Sequence, residues 1–179
     1  MSAGNRCILF QAFVTKQWVG GTAYNYDQCY SSFSSPRNII EQHSYDYFNY
    51  HASSVKNPNS EKNPGKGYYS FLHTYGFYSG QIVPPATVWW MIDLKEEIIL
   101  RKVIVVVMVQ IDVFQKVKVR FGNSFGYQMN TEIPYSAIPQ ERTPLIVDVH
   151  FIIKGRYLSL ESNTGRYLAF GPVLIFKRE

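Results

Sequence analysis

Histidines are the side chains best suited to acid–base chemistry or metal binding, and in this sequence they are dispersed. They occur at His43, His51, His73 and His150. The chain has no phosphate-binding glycine loop, no His-x-x-x-His pair and no cysteine pair with zinc spacing. A lone histidine is more often structural than catalytic, so we expect a binding module and not an enzyme.

Aromatic residues accompany three of these histidines in a polar stretch rich in Ser, Asn, Gly and Pro. The set comprises Tyr45, Tyr47, Phe48, Tyr50, Tyr68, Tyr69, Tyr75, Phe77 and Tyr78. Aromatic rings stack on the apolar faces of sugars, and Tyr or His supplies the few placed polar groups that a pocket needs. Two interpretations remain: a sugar site, best supported at His73 and Tyr75 with Tyr78 as a further candidate, or a small second core under long loops.

Composition narrows the class of protein further. The chain has 179 residues, of which 46% are hydrophobic and 17% charged, enough for one folded domain with a good core. The net charge of +5 comes from scattered cations without a basic run, which argues against a nucleic-acid partner. Cys7 and Cys29 are the only cysteines and leave a disulfide open. The apolar stretch 103–109 is far too short to span a membrane.

Hydrophobic patterning predicts an all-β fold, with long loops over 25–83 and a strand-rich half over 86–177. The predicted strands are 7–15, 88–94, 97–110, 115–123, 145–153, 156–161 and 166–177. From Lys116 to Phe121 cations alternate with apolar side chains, which indicates a strand with one solvent-exposed face. Within the loop region we expect a helical turn near 36–42, capped by Ser34 or Ser35, and a turn-rich tip at 57–67.

Four motifs occur in an informative order: Trp89-Trp90-Met91-Ile92-Asp93-Leu94, then 99–103, then 117–124, then Gly155-Arg156-Tyr157-Leu158. In this order they resemble the discoidin family, which includes the type C domains of coagulation factors V and VIII and the fucolectins. The resemblance covers residues 86–176 and implies a single galactose-binding-like, jelly-roll β-sandwich over 1–179. Because strand side chains alternate, Trp89 and Trp90 should face opposite ways. We expect Asp93 to anchor a turn or pair with Arg101.

The resemblance also implies where a ligand lies, since members of this family bind ligands with loops at one end of the sandwich. His73 falls where the fucolectin sugar-binding histidine is expected. The two fucolectin arginines have no counterpart, and the corresponding loop offers Gln110 and Asp112. The early calcium loop of the fucolectins corresponds at best to Asn38 and Glu41, with Asp46 nearby. These residues predict either a structural calcium site or a plain capped turn.

The leading functional hypothesis is therefore a lectin-like module that binds a glycan or glycoprotein near His73, with calcium as the one implied cofactor. A protein-interaction or adhesion module and a membrane-surface module are the alternatives. The resemblance implies an extracellular location. The N-terminus lacks the apolar core of a signal peptide, so either a signal has been removed or the protein is cytoplasmic. Homo-oligomer formation stays open.

Overall fold

The computed structural model describes residues 6–8, 18–20, 38–43, 45–71, 76–80, 87–107, 116–135, 144–164 and 167–178. Internal contacts divide the chain into two compact units, residues 1–37 and 38–179. In the first unit, β1 (Arg6–Ile8) pairs antiparallel with β2 (Trp18–Gly20). No helix in the described part of the chain is long and apolar enough to cross a bilayer.

Within its described residues, the second unit contains eight strands and little helix. Its strands are β3 (Asn49–Ala52), β4 (Phe77–Tyr78), β5 (Val88–Val107), β6 (Lys118–Gly122), β7 (Thr131–Ile133), β8 (Leu145–Asp148), β9 (Lys154–Ser162) and β10 (Ala169–Lys177). Its helical segments are α1 (Ile39–Gln42) and three 3₁₀ segments, Tyr45–Tyr47, Ser60–Phe71 and Tyr127–Met129. Every strand pair is antiparallel.

The strand β5 belongs to both layers of a β-sandwich. Its first half pairs with β3 and β9, and β9 continues through β6 to β7; its second half pairs with β8 and β10, and β10 with β4. The pairing with β9 shifts between Asp93 and Ile98, where Lys95 has a φ of 67°. Strands change from one sheet of a sandwich to the other at such bulges. Sequence patterning places a break here and predicts two strands, whereas the structure has one bent strand.

Both ends of β5 lie at the same end of the sandwich. The ring centroid of Trp90, near the start of β5, is 5.3 Å from that of Phe170, and Phe170 lies opposite Val107 at the end of β5. The strand therefore folds back across the core. We call this the loop end; its strand termini are Val88, Val107, Ser162 and Ala169.

The core lies between the layers and follows the predicted alternation. Val117, Val119 and Phe121 are buried, as the alternation with cations predicts. Trp90 is fully buried and Trp89 is half-buried, so the tryptophans do face opposite ways. The core also receives side chains from both halves of β5, from β8, β9 and β10, and from α1 and β3, as follows: Ile92, Leu94, Val103, Val105, Leu145, Val147, Leu158, Leu160, Phe170, Val173, Ile175, Ile39 and Tyr50.

The region predicted as long loops contains more structure than its composition indicates. The strand β3 and the 3₁₀ segment Ser60–Phe71 both lie within it, and part of the predicted turn-rich tip packs against the sandwich. The indole Nε1 of Trp90 donates to the carbonyl of Glu61 at 2.8 Å. The turn-forming residues there thus form a compact segment, and its backbone accepts the hydrogen bond of a core tryptophan.

Candidate functional site

Of the predicted ligand residues, the structure describes Tyr78, which lies at the loop end. Tyr78 is half-buried in β4 opposite Ala169, and its carbonyl accepts the Lys56 N–H at 2.9 Å. His73, Tyr75, Gln110 and Asp112 lie outside the described residues, as does Cys29. His73 and Tyr75 precede β4 in the sequence, and Gln110 and Asp112 follow β5. Because these four residues are not described, their roles stay predictions.

Among the predicted calcium residues, Asn38 is buried and Asp46 is exposed. Asn38, and not Ser34 or Ser35, is the N-cap of α1: its Oδ1 accepts the N–H of Ile40 at 3.3 Å and that of Ile175 at 2.9 Å. Both lone pairs of this oxygen are engaged, so the side-chain oxygen of Asn38 is not free for a calcium ion. Asp46 is exposed, and the side chain of Glu41 is not among those described. Their contribution to a calcium site stays a prediction.

Asp93 and Arg156 form a bidentate ion pair on the outer face of the β5 layer. Arg156 Nε donates to Asp93 Oδ1 at 2.6 Å, and Nη2 donates to Oδ2 at 2.9 Å. Oδ1 also accepts the N–H of Lys95 at 2.8 Å and thereby stabilises the turn with positive φ. The prediction that Asp93 anchors a turn is confirmed, and the prediction of Arg101 as its partner is wrong.

Electrostatics keeps Asp93 ionised. Burial raises the pKa of its carboxyl, but the hydrogen bonds from Arg156 and Lys95 and their positive charges outweigh burial and leave the pKa below its ordinary value. The same carboxylate raises the pKa of Arg156. The side chain of Asp93 is 6% exposed and that of Arg156 is 40% exposed. The pair therefore fixes the orientation of a guanidinium that still reaches solvent.

Three aromatic rings meet on this face, and one of them lies beside this arginine. Phe125 is 5.1 Å from His51 and 5.9 Å from Tyr157 between centroids, with the planes nearly perpendicular in both pairs. The guanidinium of Arg156 lies 5.4 Å from the Tyr157 centroid. We call His51, Phe125, Arg156 and Tyr157 the outer-face cluster. It brings together residues from β3, β9 and the segment after β6.

Register explains why these residues meet. Trp90 and Ile92 point into the core, so Met91 and Asp93 point outward. His51 lies opposite Met91 on one flank of β5, and Tyr157 lies opposite Asp93 on the other flank. Phe125 contacts both flanking rings and so bridges the strand between them.

The segment 123–130 carries Phe125 and is held at several points. Asn130 Oδ1 accepts the N–H of Ser124 at 2.9 Å, and Asn130 Nδ2 donates to the Ser124 carbonyl at 2.8 Å. Asn123 Nδ2 donates to Glu97 Oε2 at 2.6 Å. The Asn130 carbonyl accepts from Arg120 Nη1 at 3.1 Å. This clamp holds both ends of the segment against the sheet.

The other part of this outer face is covered and paired. The rings of Trp89 and Tyr127 are 5.1 Å apart. Arg120 forms ion pairs with Glu161 at 3.3 Å and with Glu132 at 3.1 Å. The side chains in that part are thus engaged with one another, whereas 59% of Phe125 remains exposed.

The segment after β6 also matches a catalytic pattern that sequence reasoning overlooked. Residues 122–126 read Gly-Asn-Ser-Phe-Gly, which fits Gly-x-Ser-x-Gly. A nucleophile of that kind stands on a strand-to-helix turn with a histidine as base. Here the strand leads into a clamped loop and β7, and within the described residues Ser124 has no hydrogen bond to a histidine. In this chain the Gly-x-Ser-x-Gly residues lie at the end of β6 and in the loop that leads to β7.

Within the described residues, no group of three or more His, Cys, Asp or Glu side chains is placed to hold a metal ion. What the outer-face cluster offers is an exposed ring with an imidazole, a phenol and a guanidinium at its border. Sequence reasoning included His51 in the aromatic set and missed the other three. The available signal was the phenylalanine between two glycines at 122 and 126, where a turn is expected.

No protein-family model matches the chain, and no curated protein matches it in sequence. Solved structures do match. The chain is similar to an F-lectin (fucolectin) from striped bass (Morone saxatilis) serum, with a TM-score of 0.62 and 14% identity over 79% of this chain. That match covers 48% of the striped bass lectin, so the chain spans about half its length.

Two bacterial modules are similar over nearly their whole length. A fucose-binding module from Streptococcus pneumoniae matches with a TM-score of 0.61 and 16% identity over 83% of this chain and 100% of the module. A family 32 carbohydrate-binding module from Clostridium perfringens, solved with galactose, has a TM-score of 0.58 and 8% identity, over 74% and 96% of the two chains. The chain thus has the discoidin-type, galactose-binding-like β-sandwich fold. The predicted fold class is confirmed.

Proposed function

We propose that this protein is a carbohydrate-binding module that recognises a glycan with the segments at the loop end. The observation that carries the proposal is the return of β5 to its starting end. Because of it, the chain leaves β5 at the end where Tyr78 lies opposite Ala169, and Gln110 and Asp112 follow β5 in the sequence. His73 and Tyr75 join the proposal through the resemblance to the fucolectins, whose sugar-binding histidine is expected at His73. The similarity to lectins and carbohydrate-binding modules supports it.

The chemistry of these residues suits a sugar. Tyrosine rings present apolar faces to the C–H groups of a pyranose, and His, Gln and Asp supply donors and acceptors for its hydroxyls. Function on this fold depends on such segments and not on the scaffold. An extracellular location belongs to the same proposal, and intact-mass measurement of a Cys7–Cys29 disulfide in protein from the native source tests it.

A glycan array, run with and without calcium, tests the binding proposal. We expect specific hits from the native protein, loss of them in His73→Ala and retention in His150→Ala. His150 is a matched control, because it is exposed and follows β8 at the opposite end of the sandwich. Hits that depend on calcium support the calcium prediction as well.

Two results overturn the proposal. One is an array without hits above background. The other is equal binding by the native protein and His73→Ala. If the array is empty but the protein sediments with anionic vesicles, the membrane-surface alternative replaces the glycan module.

A further inference from the structure

Phe125 combines exposure with a fixed position. Its side chain is 59% exposed, although it packs edge to face with both His51 and Tyr157. The Asn130 clamp on Ser124 holds the backbone next to it. An exposed ring that is already ordered loses little conformational entropy when a ligand stacks on it.

Polar groups border this ring in the way that a sugar site requires. The ion pair with Asp93 uses Nε and Nη2 of Arg156, and Nη1 has no protein partner among the described residues. Arg156 can therefore donate to a ligand oxygen. The imidazole of His51 and the hydroxyl of Tyr157 can each donate or accept.

We propose that the outer-face cluster is a second carbohydrate site, which binds a neutral pyranose with its C–H face on Phe125 and hydroxyls on His51, Arg156 and Tyr157. The local charge favours a neutral sugar, since Asp93 compensates the charge of Arg156. The site does not depend on the loop end or on its proposed ligand. Together with the site proposed for the loop end, it makes the module bivalent toward an extended glycan or a glycan-covered surface, and this bivalency alone rests on the proposed function.

A purely structural role for Phe125 is the competing explanation, since Met91 beneath the cluster is 1% exposed. Phe125→Leu separates the two roles because leucine keeps an apolar cover but has no aromatic face. Met129→Ala is the matched control: Met129 lies on the same segment and is 82% exposed.

The test is titration of free galactose, fucose, mannose and glucose into the full chain, followed by NMR of the His51 and Tyr157 side chains. We expect saturable shifts with at least one of these sugars. The Kd should rise about tenfold in Phe125→Leu and stay unchanged in Met129→Ala, with unfolding midpoints similar to the native protein. His73→Ala should leave these shifts intact, which separates this site from the loop end.

Three outcomes refute the second site. The first is the absence of shifts with all four sugars. The second is equal affinity of Phe125→Leu and the native protein. The third is a response only to a glucuronate or sulfated galactose, weakened strongly by salt, which shows an anion site and not a neutral-sugar site.

Discussion

Asn130 is the residue that determines the shape of the segment carrying Phe125, and replacing it gives a quantitative test of the structure. Its side chain is 5% exposed and makes two hydrogen bonds with the backbone of Ser124. It also fills the space above Gly122: a Cβ added to that glycine would lie 2.5 Å from Asn130 Oδ1. Asn130→Ala removes the hydrogen bonds and leaves a gap there.

A net contribution of about 1 kcal/mol per hydrogen bond predicts a loss of about 2 kcal/mol in the free energy of unfolding. For a domain of this size such a loss lowers Tm by roughly 4–8 °C. Hydrogen bonds through the main chain of Asn130, to Tyr127 and Arg120, do not involve the side chain and are retained. Urea unfolding measures the change. Gln128→Ala, on the same segment but exposed, is the control and should change the free energy by less than about 0.5 kcal/mol.

Asn130→Asp refines the test. The carboxylate can still accept the Ser124 N–H, but at neutral pH it cannot donate to the Ser124 carbonyl and places a negative charge against it. We expect a loss at least as large as that of Asn130→Ala. An unfolding midpoint of Asn130→Ala equal to that of the native protein refutes the clamp and, with it, the argument that Phe125 is held in place.

Two further changes test the β5 layer. Gly155→Ala places a Cβ 2.7 Å from Gly122 Cα, so we expect the free energy of unfolding, measured with urea, to fall by about 1–3 kcal/mol. Gly126→Ala is the control, because its Cβ meets nothing closer than 3.4 Å. Equal losses in the two variants contradict the close approach of Gly155 and Gly122. The pKa of Asp93 is lower in the folded state, so stability should fall as pH drops below about 4. Between pH 7 and pH 2, the free energy of unfolding measured with urea should fall less in Asp93→Asn than in the native protein. Identical pH profiles of the two proteins contradict the ion pair of Asp93 with Arg156.

Side-chain alternation made much of the scaffold predictable. In β6 the buried positions Val119 and Phe121 alternate with cations, and the period of two follows directly from strand geometry. The apolar run 103–107 is a central strand because β8 and β10 flank it. The strand β3 escaped prediction because it has only four residues and little apolar pattern.

Long-range partners were not predictable in this way. The sequence favoured Arg101 as the partner of Asp93, since it is nearby in the chain, but the partner is Arg156, 63 residues away. Strand pairing brings it within reach: Tyr157, the neighbour of Arg156, lies opposite Asp93 at the point where the register of β5 and β9 shifts.

By itself the sequence determined the all-β class, the placing of Trp90 in the core and Trp89 on the outer face, and the buried face of β6, because these depend on local periodicity. Tertiary structure alone decided that β5 returns to its starting end and that Phe125 stands between His51 and Tyr157. Both depend on contacts between residues distant in the chain, and local patterning does not encode which distant strands become neighbours.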